Sequence, residues 1–168
     1  MEKTEKHEHE HENQHEHPPI KRHAALVPLS RDHQLGLQKA RQLRQAADGS
    51  GADRVEAVRS FLDGWRKEIH LHFDDEEHLF APFLTPAERD RLRAEHDDLR
   101  AHAAEAEQRA TSKDPGAEWT RTLGDKLHDH IRWEERELFN GIQDRMTTSQ
   151  LAEMAQETAE IESTRNRL

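Results

Sequence analysis

The sequence predicts an all-α protein: an up-down-up-down four-helix bundle with an additional C-terminal helix, preceded by a disordered N-terminal tail. Three observations carry this reading. Apolar residues recur at steps of three and four along four long stretches, the spacing of one helix face. Short turns rich in Gly, Pro, Asp and Ser separate the stretches. Apolar residues make up 32% of the 168-residue chain and charged residues 36%, which suffices for one buried stripe per helix but is lean for a two-layer α/β core.

Residues 1–19 alternate His and Glu, with no apolar residue after Met1 until Ile20. Such a segment has nothing to bury and is expected to be disordered. Its imidazoles suit loose capture of Zn²⁺, Ni²⁺ or Cu²⁺, but a purely solubilising tail is the reading placed ahead of it. The bundle is expected over residues 26–145 and the last helix over 148–163.

The first helix is expected to start at Ser30 as N-cap and to run to about Ala47, with the stripe His33, Leu37, Ala40 and Ala47 and with Gly36 and Leu43 beside it. The second begins near Asp53 and carries Val55, Val58, Leu62, Trp65, Ile69, His72, Glu76, Leu79 and Phe83. Thr85-Pro86-Ala87-Glu88 is a capping box with proline at the first helical position. The third helix then follows with Leu92, His96, Leu99, Ala103, Ala106 and Ala110. The fourth runs from about Ala117 beyond Phe139, with Thr120, Leu123, Leu127, His130, Glu134 and Leu138. A fifth, capped by Thr148 or Ser149, brings Leu151, Met154, Ala155 and Ile161 against the outside, and Ser163–Leu168 is expected to fray.

Six polar residues thus stand where leucines would be expected: His33, His72, Glu76, His96, His130 and Glu134. In an antiparallel hairpin, residues equidistant from the turn lie side by side. The midpoint of 33 and 74, the centre of the His72/Glu76 pair, is 53.5, at the edge of the first turn. The midpoint of 74 and 96 is 85, at Thr85, and that of 96 and 132 is 114, in the Asp114-Pro115-Gly116 turn. All six therefore fall in one layer. Burying them unpartnered costs several kcal/mol per ionised group. A mutual hydrogen-bond network or bound metal has to compensate, and ligand-type residues converging from four helices favour metal. His70, His78 and His128 lie two residues from a site position and point outward, whereas His102 lies on a flank of its helix.

Composition excludes several classes. There is no cysteine, hence no disulfide, iron–sulfur cluster or thiolate zinc site, and no tyrosine. A formal charge of −10 argues against nucleic acid as a partner. No apolar run reaches signal-peptide or membrane length. These features fit a cytoplasmic protein whose own protein partners the sequence does not reveal.

Four histidines and two carboxylates give two ions about two nitrogens each, with both glutamates free to bridge. Mixed nitrogen and oxygen ligation suits iron or manganese, with zinc as a further alternative. The order His33, His72-x-x-x-Glu76, His96, His130-x-x-x-Glu134 resembles the hemerythrin-like (HHE cation-binding) domain over about residues 26–145. The phrases His72-Phe73-Asp74-Asp75-Glu76-Glu77 and His130-Ile131-Arg132-Trp133-Glu134-Glu135-Arg136-Glu137-Leu138-Phe139 are especially similar. The resemblance implies two iron ions in an oxo- or hydroxo-bridged non-haem centre. The oxygen carriers of that family have a second histidine four residues after the third-helix ligand, where this chain has Arg100. They close on an aspartate five residues after the last histidine, whereas here Glu134 stands four after. The pattern is more similar to iron-sensing and iron-centre-repair members, without the cysteine-bearing segment of the latter.

The expected function is a non-enzymatic di-iron protein that binds or senses O₂, NO or iron. The alternatives are a di-iron oxidase, peroxidase-like or NO-reducing enzyme, and a metal buffer that uses the His-rich tail. Glu76 is the expected bridge between the metals, with Glu134 as its counterpart.

Overall fold

The computed structural model describes residues 22–166, so the expectation for the 1–19 tail lies outside the described residues. Helix α1 spans Val27–Ala47. The second arm is α2 (Gly51–Gly64), a π-helical turn (Trp65–Ile69) and α3 (His70–Phe80), closed by a 3₁₀ turn at Ala81–Phe83. Helix α4 spans Pro86–Arg109. The fourth arm is α5 (Ala117–Trp133), a second π-helical turn (Glu134–Leu138) and α6 (Phe139–Arg145). Helix α7 (Thr148–Asn166) follows.

Local chemistry sets the boundaries. Ser50 and Asp53 form a reciprocal capping box that starts α2, and Thr85 and Glu88 form the expected one at α4. α1 begins three residues before Ser30, because Pro28 sits in its first turn, where a missing N–H costs nothing. Ser30 is thus inside the helix and no cap. Thr147, rather than Thr148 or Ser149, caps α7: its hydroxyl accepts from the Gln150 N–H, and its own N–H donates to the Gln150 side chain. The 163–168 segment stays helical to Asn166, and Arg165 donates to Asp75 Oδ1 at 2.5 Å.

The expected stripe of the second arm is buried at Val58, Leu62, Ile69, His72, Glu76 and Leu79, whereas Val55, Trp65 and Phe83 are only half-buried. Phe83 lies beyond α3, in the 3₁₀ turn. Ala57, Phe61, Phe73 and Phe80 widen the buried face beyond the expected stripe. Leu37 on α1 is likewise at the margin. The stripes of α4 and the fourth arm are buried at every expected position.

Helix α1 packs most closely on α5. A Cβ on Gly124 would stand 3.0 Å from the Ala40 carbonyl oxygen, and one on Gly36 would stand 2.5 Å from Ile131 Cδ1. At the turn end of the bundle, Arg54 donates to both Asp114 carboxylate oxygens at 2.8 Å and to the Gly49 carbonyl at 2.7 Å, tying two turns together. Two apolar clusters result. One contains Leu43, Val58, Phe61, Leu99, Leu123 and Leu127. The other contains Leu26, Phe80, Leu92, Phe139 and Ile142 and also takes in Met154 of α7, with Leu151, Ala155 and Ile161 at its margin. The polar layer lies between them. Among the described residues, no helix is long and apolar enough to cross a membrane.

Candidate metal centre

All six expected site residues are buried: Glu76, His96 and Glu134 at 0% exposure, His130 at 2%, His33 at 4% and His72 at 5%. Each arm delivers its share. α1 supplies His33; α3 supplies His72 and Glu76 one helical turn apart. α4 supplies His96; α5 supplies His130, with Glu134 opening the π turn that follows.

They form two groups that share both glutamates. His33, His72, Glu76 and Glu134 make one, and Glu76, His96, His130 and Glu134 the other; in each, the potential ligand atoms all lie within 4.8 Å of one another. The Nε2 atoms face inward. His33 Nε2 is 2.9 Å from Glu134 Oε2 and 3.1 Å from His72 Nε2. His72 Nε2 is 3.3 Å from Glu76 Oε2, and His96 Nε2 is 3.3 Å from Glu76 Oε1 and 3.5 Å from Glu134 Oε1. His130 Nε2 contacts Glu134 Oε1.

Both oxygens of Glu76, Glu134 Oε1, the Nε2 atoms of His96 and His130, and the outward Nδ1 of His96 are buried without a hydrogen-bond partner. Buried polar atoms are nearly always satisfied. Ligand-type nitrogens and carboxylate oxygens crowded together without satisfied hydrogen bonds are what a cation coordinated between them, displacing the imidazole protons, would satisfy. The residues fit the group.

The outer nitrogens meet a second set of carboxylates. His33 Nδ1 donates to Glu135 Oε1 at 2.6 Å and His130 Nδ1 to Glu95 Oε1 at 2.8 Å. His72 Nδ1 donates to Asp32 Oδ2 at 3.3 Å, and His96 Nδ1 lies 3.5 Å from Glu77 Oε2. Arginines hold three of the four: Arg22 on Glu135 at 2.9 Å, Arg91 on Glu95 at 2.6 Å, and Arg100 on Glu77. Arg100 therefore reaches away from the centre, to a carboxylate that backs His96. Sequence reasoning missed these residues. The available signal was adjacency, since each is the chain neighbour of a site residue: Asp32-His33, Glu76-Glu77, Glu95-His96 and Glu134-Glu135.

Aromatic rings wall the layer. Phe73 stacks on His96 with ring centroids 3.9 Å apart and planes 4° from parallel, and Phe139 stacks on His33 at 5.2 Å. A cavity of about 20 Å³ touches Asp32, His33, Gly36, Glu68, His72, Phe73 and His130. Roughly 10–15 Å³ suffices for one water, so the cavity has room for about one water-sized molecule. Of the remaining histidines, His78 is exposed, His70 bonds the Arg66 carbonyl and His128 pairs with Asp129. His102 bonds the Asp98 carbonyl beside Trp119, outside both groups.

Burial opposes the imidazolium form throughout, but the surrounding carboxylates outweigh it. His72 rises to about 9 through the Glu76 charge and the Asp32 hydrogen bond. His96 rises to about 11 through Glu134, Glu76 and Glu77. His33 and His130 also rise. Reciprocally, the nearby His96 imidazole and the Arg100 guanidinium lower Glu77 to about 2. Burial pushes Glu134 upward, yet His130 and His33 hold it well below the usual carboxylate range.

A helical bundle that buries two linked His/Glu groups at mid-height is the architecture of a carboxylate–histidine metal protein. The family model described as the hemerythrin HHE cation binding domain matches residues 24–142. The chain belongs to this family, which binds cations, usually iron. No curated protein and no solved structure matches it.

Proposed function

We propose that His33, His72, Glu76, His96, His130 and Glu134 hold two metal ions, with Glu76 and Glu134 shared between them. The observation that supports this most is the pair of four-residue groups overlapping in both glutamates. Two iron ions are the cargo the donor set suits best; manganese and zinc are accommodated by the same nitrogen and oxygen donors. The metal-binding unit is the bundle of residues 26–145, with the 148–163 helix as its outer support. Bound iron supplies an electrophilic, redox-active centre with room for a small ligand.

The protein chain contributes positioning and exclusion. Glu76 and Glu134 each present oxygens to both groups, the four Nε2 atoms point inward, and Phe73 and Phe139 shield the rings. The 20 Å³ cavity beside His33 and His72 has room for about one water-sized molecule. The function read from this arrangement is binding or sensing of a diatomic ligand, or of iron itself.

The test is anaerobic loading with Fe²⁺, desalting, and exposure to air or NO. The expected result is two irons per chain and a new near-ultraviolet absorption on oxidation. Uptake of fewer than one iron overturns the reading. Repeated turnover of H₂O₂ or NO with a reductant, lost in His72→Ala, replaces it with an enzymatic one.

A further inference from the structure

The four outer carboxylates have an order the metal reading does not require. Glu135, on the turn after α5, backs His33 of α1. Asp32, on α1, backs His72 of α3. Glu77, on α3, faces His96 of α4. Glu95, on α4, backs His130 of α5. The series returns to its starting helix after one circuit of the bundle.

We infer that Asp32, Glu95 and Glu135 are positioning residues, each fixing through a hydrogen bond the inward Nε2 of a histidine on the next arm. Glu77 completes the ring by charge alone, since it faces His96 Nδ1 at 3.5 Å without a hydrogen bond. The inference rests on the reading that metal binds at the inner six residues. An ionised carboxylate only accepts hydrogen bonds, so the nitrogen facing it has to carry the proton. In a metal-binding, neutral imidazole this leaves the lone pair on Nε2, and the carboxylate raises the basicity of that nitrogen. Because each carboxylate adjoins a site residue of its own arm in sequence, displacing one arm moves a ligand and the support of another arm's ligand together. The layer is positioned as a unit.

The ring is uneven. Arginines anchor Glu77, Glu95 and Glu135. Among the described contacts Asp32 has no arginine partner, and its side chain is 43% exposed. Its hold on His72 is the loosest of the hydrogen-bonded members, at 3.3 Å.

The experiment uses the full chain loaded with Zn²⁺, which is diamagnetic, and the variants Glu95→Gln, Glu135→Gln, Asp32→Asn and, as a control, Glu107→Gln from the exposed Arg66 pair. Zinc affinity is read by chelator competition and the imidazole Nδ1–H resonances by NMR. Affinity is expected to fall about 10–100-fold for Glu95→Gln and Glu135→Gln, less for Asp32→Asn, and not at all for the control. Each ring variant is expected to shift or lose the Nδ1–H resonance of its own histidine. Variants that melt earlier without metal yet keep wild-type zinc affinity and all Nδ1–H resonances would show that the carboxylates only brace the fold, and would overturn the ring. A wild-type chain that takes up no zinc fails at the first step and overturns the metal reading with it. If Glu135→Gln does not fold, Glu95→Gln and the exposed Asp32→Asn decide the matter alone.

Discussion

The two halves of the site use the same residue types but hold them differently. In the His96/His130 half, His96 is fully buried, stacked face to face on Phe73, and edge-on to His130 with centroids 4.9 Å apart. Both carboxylates behind this half are anchored, Glu77 by Arg100 and Glu95 by Arg91. In the His33/His72 half, only Glu135 is anchored and the other support is exposed; the small cavity borders both of its histidines, and His130 of the other half as well. Identical donors therefore do not make identical sites. Enclosure and the carboxylates behind the histidines differ between the two halves.

The harshest way to break this comparison is to remove what the halves share. Glu134→Ala is expected to abolish uptake of both ions, as measured by metal analysis, and to destabilise the metal-free bundle by about 3–5 kcal/mol in chemical denaturation, because buried imidazoles lose their counter-charge. His72→Ala should spare the other half and leave one ion. Equal loss in both variants would mean that the halves are not separable.

Acidity distinguishes the halves next. His72 and His96 have folded-state pKa values raised to about 9 and about 11. A raised value gives stability that is complete below the unfolded value of about 6.5 and is lost as pH climbs through the folded one. Through these histidines, the metal-free protein should thus be most stable below about pH 6.5, weaken from there up to about pH 9, and lose the rest toward 11. The His72 step is on the order of 3 kcal/mol, taken from its rise to about 9. Metal has to displace these protons, so zinc affinity should rise with pH between roughly 6 and 9. Denaturant midpoints and chelator competition at several pH values measure both, and a flat profile contradicts the charge assignment.

Gly36→Ala sharpens the comparison more gently. The new Cβ meets Ile131 Cδ1, the mobile end of a side chain, and pushes it beside the cavity of the His33/His72 half. Overpacking of this kind costs about 1–3 kcal/mol. Iron content should stay at the wild-type level while the rate of reaction with O₂ or NO falls several-fold in stopped-flow mixing. An unchanged rate would mean that ligands reach the metals by another route. Deleting residues 1–19 should have the smallest effect, with the bundle keeping both ions; loss of most of the metal would make the tail the main binder.

The layer was legible because it rests on helical period and turn position, both local properties. Each i,i+4 His/Glu pair fixes a helix face by itself, and the capping box at Thr85 and Glu88 marks a turn whatever packs around it. The ring of outer carboxylates was not legible in the same way. Asp32 and Glu95 look like ordinary solvated acids before a histidine, and only the rotation of the neighbouring arm shows that they face another histidine. The π turns were hidden for a related reason: a stripe read at steps of three and four absorbs an extra residue without a visible break.

By itself, then, the sequence determined the helices, their order, the depth of the polar layer and the six residues in it, because periodicity and loop length act along the chain. Tertiary structure alone decided how those residues divide into two groups, which carboxylate backs which histidine, and where a cavity remains. Those facts depend on distances between arms, which are set by close contacts such as Gly124 against Ala40 and Gly36 against Ile131. No single helix carries that information.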